Sequence, residues 1–147
     1  MIQFLKVNVN PKKRKTGDCA VRAVCQACNI PYEQAAKELF DEWMRTGYDM
    51  TSPRVFAQVL ANHGFVKHGK PKKPDGKTYS VGDLIEEIGE DSILVIQVAS
   101  HWTVSKACRI IDLWCPVNKS VYGYFAKKAA PREMLAYDNG KPVRILL

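Results

Sequence analysis

The stretch His101-Trp102-Thr103-Val104-Ser105-Lys106-Ala107-Cys108-Arg109-Ile110-Ile111-Asp112 decides how this chain is read. It divides into two β-rich runs, 101–105 and 108–112, around a turn at Lys106-Ala107. A two-residue hairpin loop would set Ser105 opposite Cys108 and, in the same register, His101 opposite Asp112. Directly opposed side chains share a face, with Cβ atoms about 4.5–5.5 Å apart. An aspartate so placed can accept a hydrogen bond from one imidazole nitrogen and leave the other free for a thiol. A bulge that moved the register by one residue would put Asp112 on the opposite face.

Outward from this hairpin the β character continues. Residues 92–98 and 121–125 read as strands, and 143–147 as a last one. The chain before them is helical. Residues 18–29 carry Ala20, Ala23, Val24 and Ala27 at helical spacing behind a cap at Thr16 or Asp18. Residues 31–45 turn Ala35, Leu39, Phe40 and Trp43 or Met44 inward, and Gly47 ends that helix. Ser52-Pro53 starts a third helix that stops near His63-Gly64. Residues 69–79, rich in Lys, Pro and Gly, read as a loop, and 80–88 as a short helix. A strand at 2–9 precedes all of these. Helices first and an antiparallel sheet second is an α+β layout, expected as one domain over 1–147 because no linker or repeat divides it.

A second signal comes from Cys19. It stands at a helix start behind Gly17-Asp18, where unpaired N–H groups and the helix dipole favour thiolate over thiol. Lys13, Arg14, Lys15 and Arg22 act in the same direction. Gly17 lets the backbone approach a substrate carbonyl, and the Cys19 N–H supplies one oxyanion donor. A cysteine, a distant histidine and an acid on the next strand form an ordered set suited to thiol hydrolysis.

These residues carry a resemblance. Gly17-Asp18-Cys19-x-x-Arg22-Ala23, His101-Trp102-x-Val104 and Ile111-Asp112-x-Trp114 resemble papain-like cysteine peptidases in minimal form. Bacteriocin-leader-cleaving peptidase domains and small phage and prophage proteins are the closest in pattern. The resemblance covers residues around 16–40 and 92–125. It implies a helical layer bearing the nucleophile Cys19, an antiparallel sheet bearing His101 and Asp112, and a peptide or protein substrate in the cleft between. It also implies the cytoplasm of a bacterial or phage-infected cell. One departure stands out: no glutamine lies a few residues before Cys19. Asn10, Thr16 or a lysine would have to complete the oxyanion hole, and losing one such donor costs about 10²–10³ in rate.

Other features leave alternatives open. Five cysteines, an odd count, do not form a secreted disulfide framework and read as free thiols of a reducing compartment. Cys25, Cys28, Cys108 and Cys115 could be drawn as a zinc site, but the CxxC falls inside a helix, so packing is the reading for the first three and no metal or cofactor is expected. Trp102 is expected in the core and Trp114 on the face of Asp112, shielding the His–Asp pair. No apolar run approaches the ~20 residues of a membrane span, and MIQFLKVNVN lacks the pattern of a signal peptide. The net charge is +7, with much of the excess in two loops at 11–15 and 67–77. That leaves room for an anionic partner. The rival functions are a catalytically silent fold that binds a host protein and a basic nucleic-acid-binding protein.

Overall fold

A computed structural model describes residues 1–15 and 17–143. Among the described residues the α-helices are α1 (Cys19–Cys28), α2 (Tyr32–Thr46), α3 (Pro53–Asn62) and α4 (Val81–Ile88). The strands are β1 (Gln3–Lys6), β2 (Val66–His68), β3 (Ser92–Val98), β4 (His101–Lys106), β5 (Arg109–Asp112) and β6 (Gly123–Lys128), followed by a small ribbon of β7 (Tyr137–Asp138) and β8 (Lys141–Pro142). No helix among the described residues is long and apolar enough to cross a membrane.

The helix ends follow from local chemistry. Asn29 closes α1 in the left-handed region, and Gly47 does the same for α2, its N–H donating to the Trp43 carbonyl at 2.7 Å. Ser52 accepts from the Arg54 N–H ahead of Pro53. At α4, Ser80 and Asp83 cap each other's backbone reciprocally.

The six long strands form one sheet in the order β1-β5-β4-β3-β6-β2. α1, α2 and α3 cover one face, with Val24, Leu39, Phe56 and Leu60 packed on Ile93, Val95, Val104 and Phe125. α4 covers the other, with Val81, Leu84 and Ile85 against Leu94, Ile96, Val98 and Ile110. β3 is therefore buried on both sides, which is why its sequence is nearly all apolar instead of alternating.

Three expectations are corrected here, and one strand is added to them. The sheet is mixed, because β1 joins it parallel to β5, with Leu5 facing Ile111 and Lys6 facing Asp112. Helices occupy both faces, since α4 lies opposite α1–α3. Phe40 and Met44 point outward, at 45% and 57% exposed, while Glu42 is buried and paired with Arg45. The segment after α3 contains β2, a three-residue edge strand with no apolar alternation to announce it. The strand expected over 143–147 lies, apart from Val143, outside the described residues.

The hairpin also shifts. Lys106 faces Arg109, Ser105 faces Ile110 and Val104 faces Ile111, so the two loop residues are Ala107 and Cys108. Both have positive φ, 49° and 61°, as a type I′ turn requires. The shift is two residues, and a two-residue shift preserves the face.

Phe56 ties this hairpin to the helices. Its ring lies 4.3 Å from Trp102 and 5.9 Å from Phe125, and it is 2% exposed. Phe56→Ala should cost about 3–5 kcal/mol, read as a lowered urea midpoint with the slope unchanged.

Candidate active site

Cys19 is the first residue of α1, where the backbone N–H groups have no partner within the helix. The preceding Asp18 stands in the cap position but makes no side-chain cap. Its carboxylate turns inward instead. Oδ2 accepts from the Tyr32 hydroxyl at 2.9 Å and from Asn10 Nδ2 at 2.8 Å, and Oδ1 lies 3.3 Å from Arg22 Nη1. This cluster fixes the chain direction just ahead of the sulfur. Gly17 adopts φ +82°, a conformation that would strain any side chain, although the space around it is open.

His101 opens β4 and Asp112 closes β5. The register that sets Ser105 opposite Ile110 leaves the two diagonal to each other on one face. His101 Nε2–H donates to Asp112 Oδ2 at 2.7 Å. Asp112 Oδ1 accepts from the Leu113 N–H at 2.6 Å, which fixes the carboxylate. Side chains of the pair are 9% and 6% exposed. Trp114 covers it, the indole centroid 4.9 Å from the imidazole. Trp102 turns the other way into the core, as alternation requires.

With Nε2 engaged by Asp112, the remaining imidazole nitrogen serves Cys19. The hydrogen bond from His101 is the largest influence on the thiol and lowers its pKa. Burial opposes it, and the Trp102 backbone N–H and the charges of His101 and Arg22 reinforce it. That N–H is available for a structural reason. Residues flanking a two-residue hairpin loop form a hydrogen-bonded pair, so the N–H groups of 106, 104 and 102 point toward β5. β5 ends at Asp112, and the Trp102 N–H meets the sulfur. For His101 burial is the largest single influence and pushes its pKa down. The hydrogen bonds to Asp112 and Cys19 override it, and the imidazole rises to about 9. A lowered thiol beside a raised imidazole favours the thiolate–imidazolium pair over the neutral pair.

The other expected site residues fall differently. Asn10 is 7% exposed and its amide is committed to Asp18 and to the Tyr32 oxygen at 3.4 Å. It is corrected from an oxyanion donor to a brace behind the cysteine. Thr16 lies outside the described residues. Cys25 is buried and its thiol donates to the Ile30 carbonyl at 3.0 Å. Burial pushes Cys25 and Cys28 up to about 12, which makes both poor nucleophiles. Cys108 occupies the hairpin turn and Cys115 is exposed.

Two residues escaped the sequence. Tyr32 braces Asp18 from the second helix, a contact across 14 positions with no local signal. Lys106 is fully buried at the far end of β4, where it joins α1 to the segment near residue 135. Strand alternation alone placed it inward, on the side of Trp102 and Val104.

No protein-family model, curated protein or solved structure matches this chain.

Proposed function

We propose that this chain is a papain-like cysteine hydrolase that cleaves a peptide, isopeptide or related amide bond through a thioester on Cys19. The supporting observation is the continuous line from the Cys19 sulfur through the His101 imidazole to Asp112 Oδ2, with the thiol lowered and the imidazole raised to about 9. In this reading the Cys19 thiolate attacks the carbonyl carbon, and the displaced π electrons collect on oxygen facing the free N–H groups at the start of α1. His101 passes its proton to the leaving nitrogen as the C–N bond breaks, leaving a thioester. Neutral His101 then takes a proton from water, whose oxygen attacks the thioester and restores the thiolate–imidazolium pair. Asp112 holds the imidazole tautomer and stabilises its charged form. α1 supplies the nucleophile and the start of β4 and end of β5 the base, a layout in keeping with the papain-like resemblance.

A catalytically silent fold that binds a protein has one observation in its favour: the Asn10 amide, a candidate oxyanion donor, is already committed to Asp18 and Tyr32. Reaction with p-nitrophenyl acetate separates the two. A hydrolase should release p-nitrophenol in a burst of one equivalent, carry an acetyl group on Cys19 by mass, and then lose it with turnover. A stable acetyl adduct would favour the silent fold, and no adduct at Cys19 would end the hydrolase reading.

A further inference from the structure

The basic loop at 11–15 is built onto the residue that precedes the nucleophile. Asn10 makes the join. Its Oδ1 accepts from the Lys12 N–H at 2.8 Å, while its Nδ2 donates to Asp18 at 2.8 Å. The loop is closed on itself by Lys13 N–H to the Asn10 carbonyl at 2.9 Å and by Asn8 Nδ2 to the Arg14 carbonyl at 3.2 Å. It is therefore an ordered platform with exposed cations and not a free tail.

Three of those cations are not paired with an acid among the described residues. Among the described residues Lys12, Arg14 and Lys15 take part in no ion pair. Asp18, the nearest carboxylate in sequence, is turned inward to Arg22 and is 11% exposed. Lys6 extends the positive surface, sharing with Lys13 an open depression of ≈ 470 Å³ that has Asp138 at its rim. The other basic loop differs. Lys73 is paired with Asp83 at 2.8 Å and Lys70 lies over the Tyr122 ring, while Lys67, Lys72 and Lys77 take part in no ion pair among the described residues. Among the described residues, the loop at 11–15 combines unpaired charge with a hydrogen-bonded connection to the side chain of Asp18, the residue before the nucleophile.

We propose that this loop selects peptides with acidic residues close to the bond attacked by Cys19, a substrate class that rests on the hydrolase reading. Four peptide steps separate Lys15 from Cys19 and span at most about 14 Å, the length of about four residues of an extended substrate. Acidic side chains within that distance of the scissile bond would come within reach of the platform. Charge at this range raises local substrate concentration and weakens as salt screens it. The cations stand on one short loop tied to the residue before the thiol, which fits a short acidic peptide better than a nucleic-acid strand.

Affinity labelling of the full chain tests this, with the Cys19 thiolate displacing iodide from two probes, iodoacetyl-Gly-Glu-Glu-amide and iodoacetyl-Gly-Gln-Gln-amide. Rates are referred to iodoacetamide and the site is identified by peptide mass. The acidic probe should react about five- to tenfold faster than the neutral one at low ionic strength, and less than about twofold faster in 0.5 M salt. In a Lys12→Gln, Arg14→Gln, Lys15→Gln variant the ratio should fall below about twofold, the residual preference being set by the charges common to both proteins. A ratio near one in the unsubstituted protein, with Cys19 still fast toward iodoacetamide, would overturn the acidic preference alone. Slow iodoacetamide labelling of Cys19 would overturn the hydrolase reading beneath it. Salt-sensitive binding of a fluorescent oligothymidylate that the same substitutions abolish, without any peptide preference, would replace the proposal by nucleic-acid binding.

Discussion

Replacing His101 with alanine should abolish the selective alkylation of Cys19 at pH 6 and cut any acyl transfer through it by about 10²–10⁴-fold. The hydrogen bond from His101 is the first cause of the lowered thiol pKa, and without it burial dominates and pushes the thiol up. In the unsubstituted protein, thiolate and imidazolium coexist between the lowered Cys19 value and about pH 9, where the imidazole loses its proton. The iodoacetamide rate at Cys19 should therefore begin to fall at a lower pH than that of an ordinary thiol. In the alanine variant it should fall about tenfold per pH unit, as for an ordinary thiol.

Stability moves with the same groups. The raised His101 contributes stability that is complete below about pH 6.5 and lost as pH rises through about 9. The depressed Cys19 contributes stability present above its ordinary value of 9.0 and lost as pH falls through its folded value. Asp112→Asn is the companion variant, because it keeps the shape beside Nε2 but removes the charge that holds the imidazolium. It should fall between the two proteins in both rate and pH profile. Selective labelling of Cys19 at pH 6 in the alanine variant would contradict the ion-pair account.

The hairpin 101–112 shows where sequence reasoning succeeded and where it slipped. Strand alternation put His101 and Asp112 on one face and Trp102 on the other, and all three are found so. The turn was misplaced because Ala107 and Cys108 both take positive φ, which neither side chain favours. Period-two geometry made the error harmless, since a two-residue slip moves no side chain to the wrong face. It even brings Trp114, not Asp112, opposite His101, which explains the indole set against the imidazole. The α2 helix shows the reverse. Phe40 and Met44 look like core residues by composition, but the face set by Ala35 and Leu39 is narrow, and the next inward position is Glu42. Parallel pairing of β1 with β5 joins residues more than 100 positions apart, and nothing local marks it. For the same reason the brace around Asp18 was only half legible. Arg22 lies one helical turn away, whereas Tyr32 arrives from another helix.

Lys106→Met should change how stability responds to pH more than it changes stability itself. The lysine is 0% exposed and has no carboxylate among its hydrogen-bond partners. Its amine donates to Asn29 Oδ1, to the Leu135 carbonyl at 3.0 Å and, at 3.5 Å, to Gln26 Oε1, and it lies 4.9 Å from the Tyr137 ring centroid. Gln26 and Asn29 belong to the end of α1 opposite Cys19, so the amine anchors the helix that carries the thiol. Burial lowers its pKa to about 7, against the smaller opposing influences of Cys28, Cys25 and Glu133. Between about pH 7 and 10.5 the unfolded chain therefore binds a proton that the folded chain has released, and stability rises with pH by up to about 1.4 kcal/mol per unit. Methionine matches the length of the stem without the amine. Near pH 7 the acceptors left without a donor offset the relief from burying an amine, so the two proteins should be close in stability. From pH 7 to 9 the unsubstituted protein should gain about 2 kcal/mol on the variant, read by urea denaturation at each pH. His101 acts with the opposite sign over the same range, but it is common to both proteins and cancels in the difference. A difference that stays level from pH 6.5 to 9 would mean that Lys106 keeps its proton inside the fold, and burial would not be what governs it.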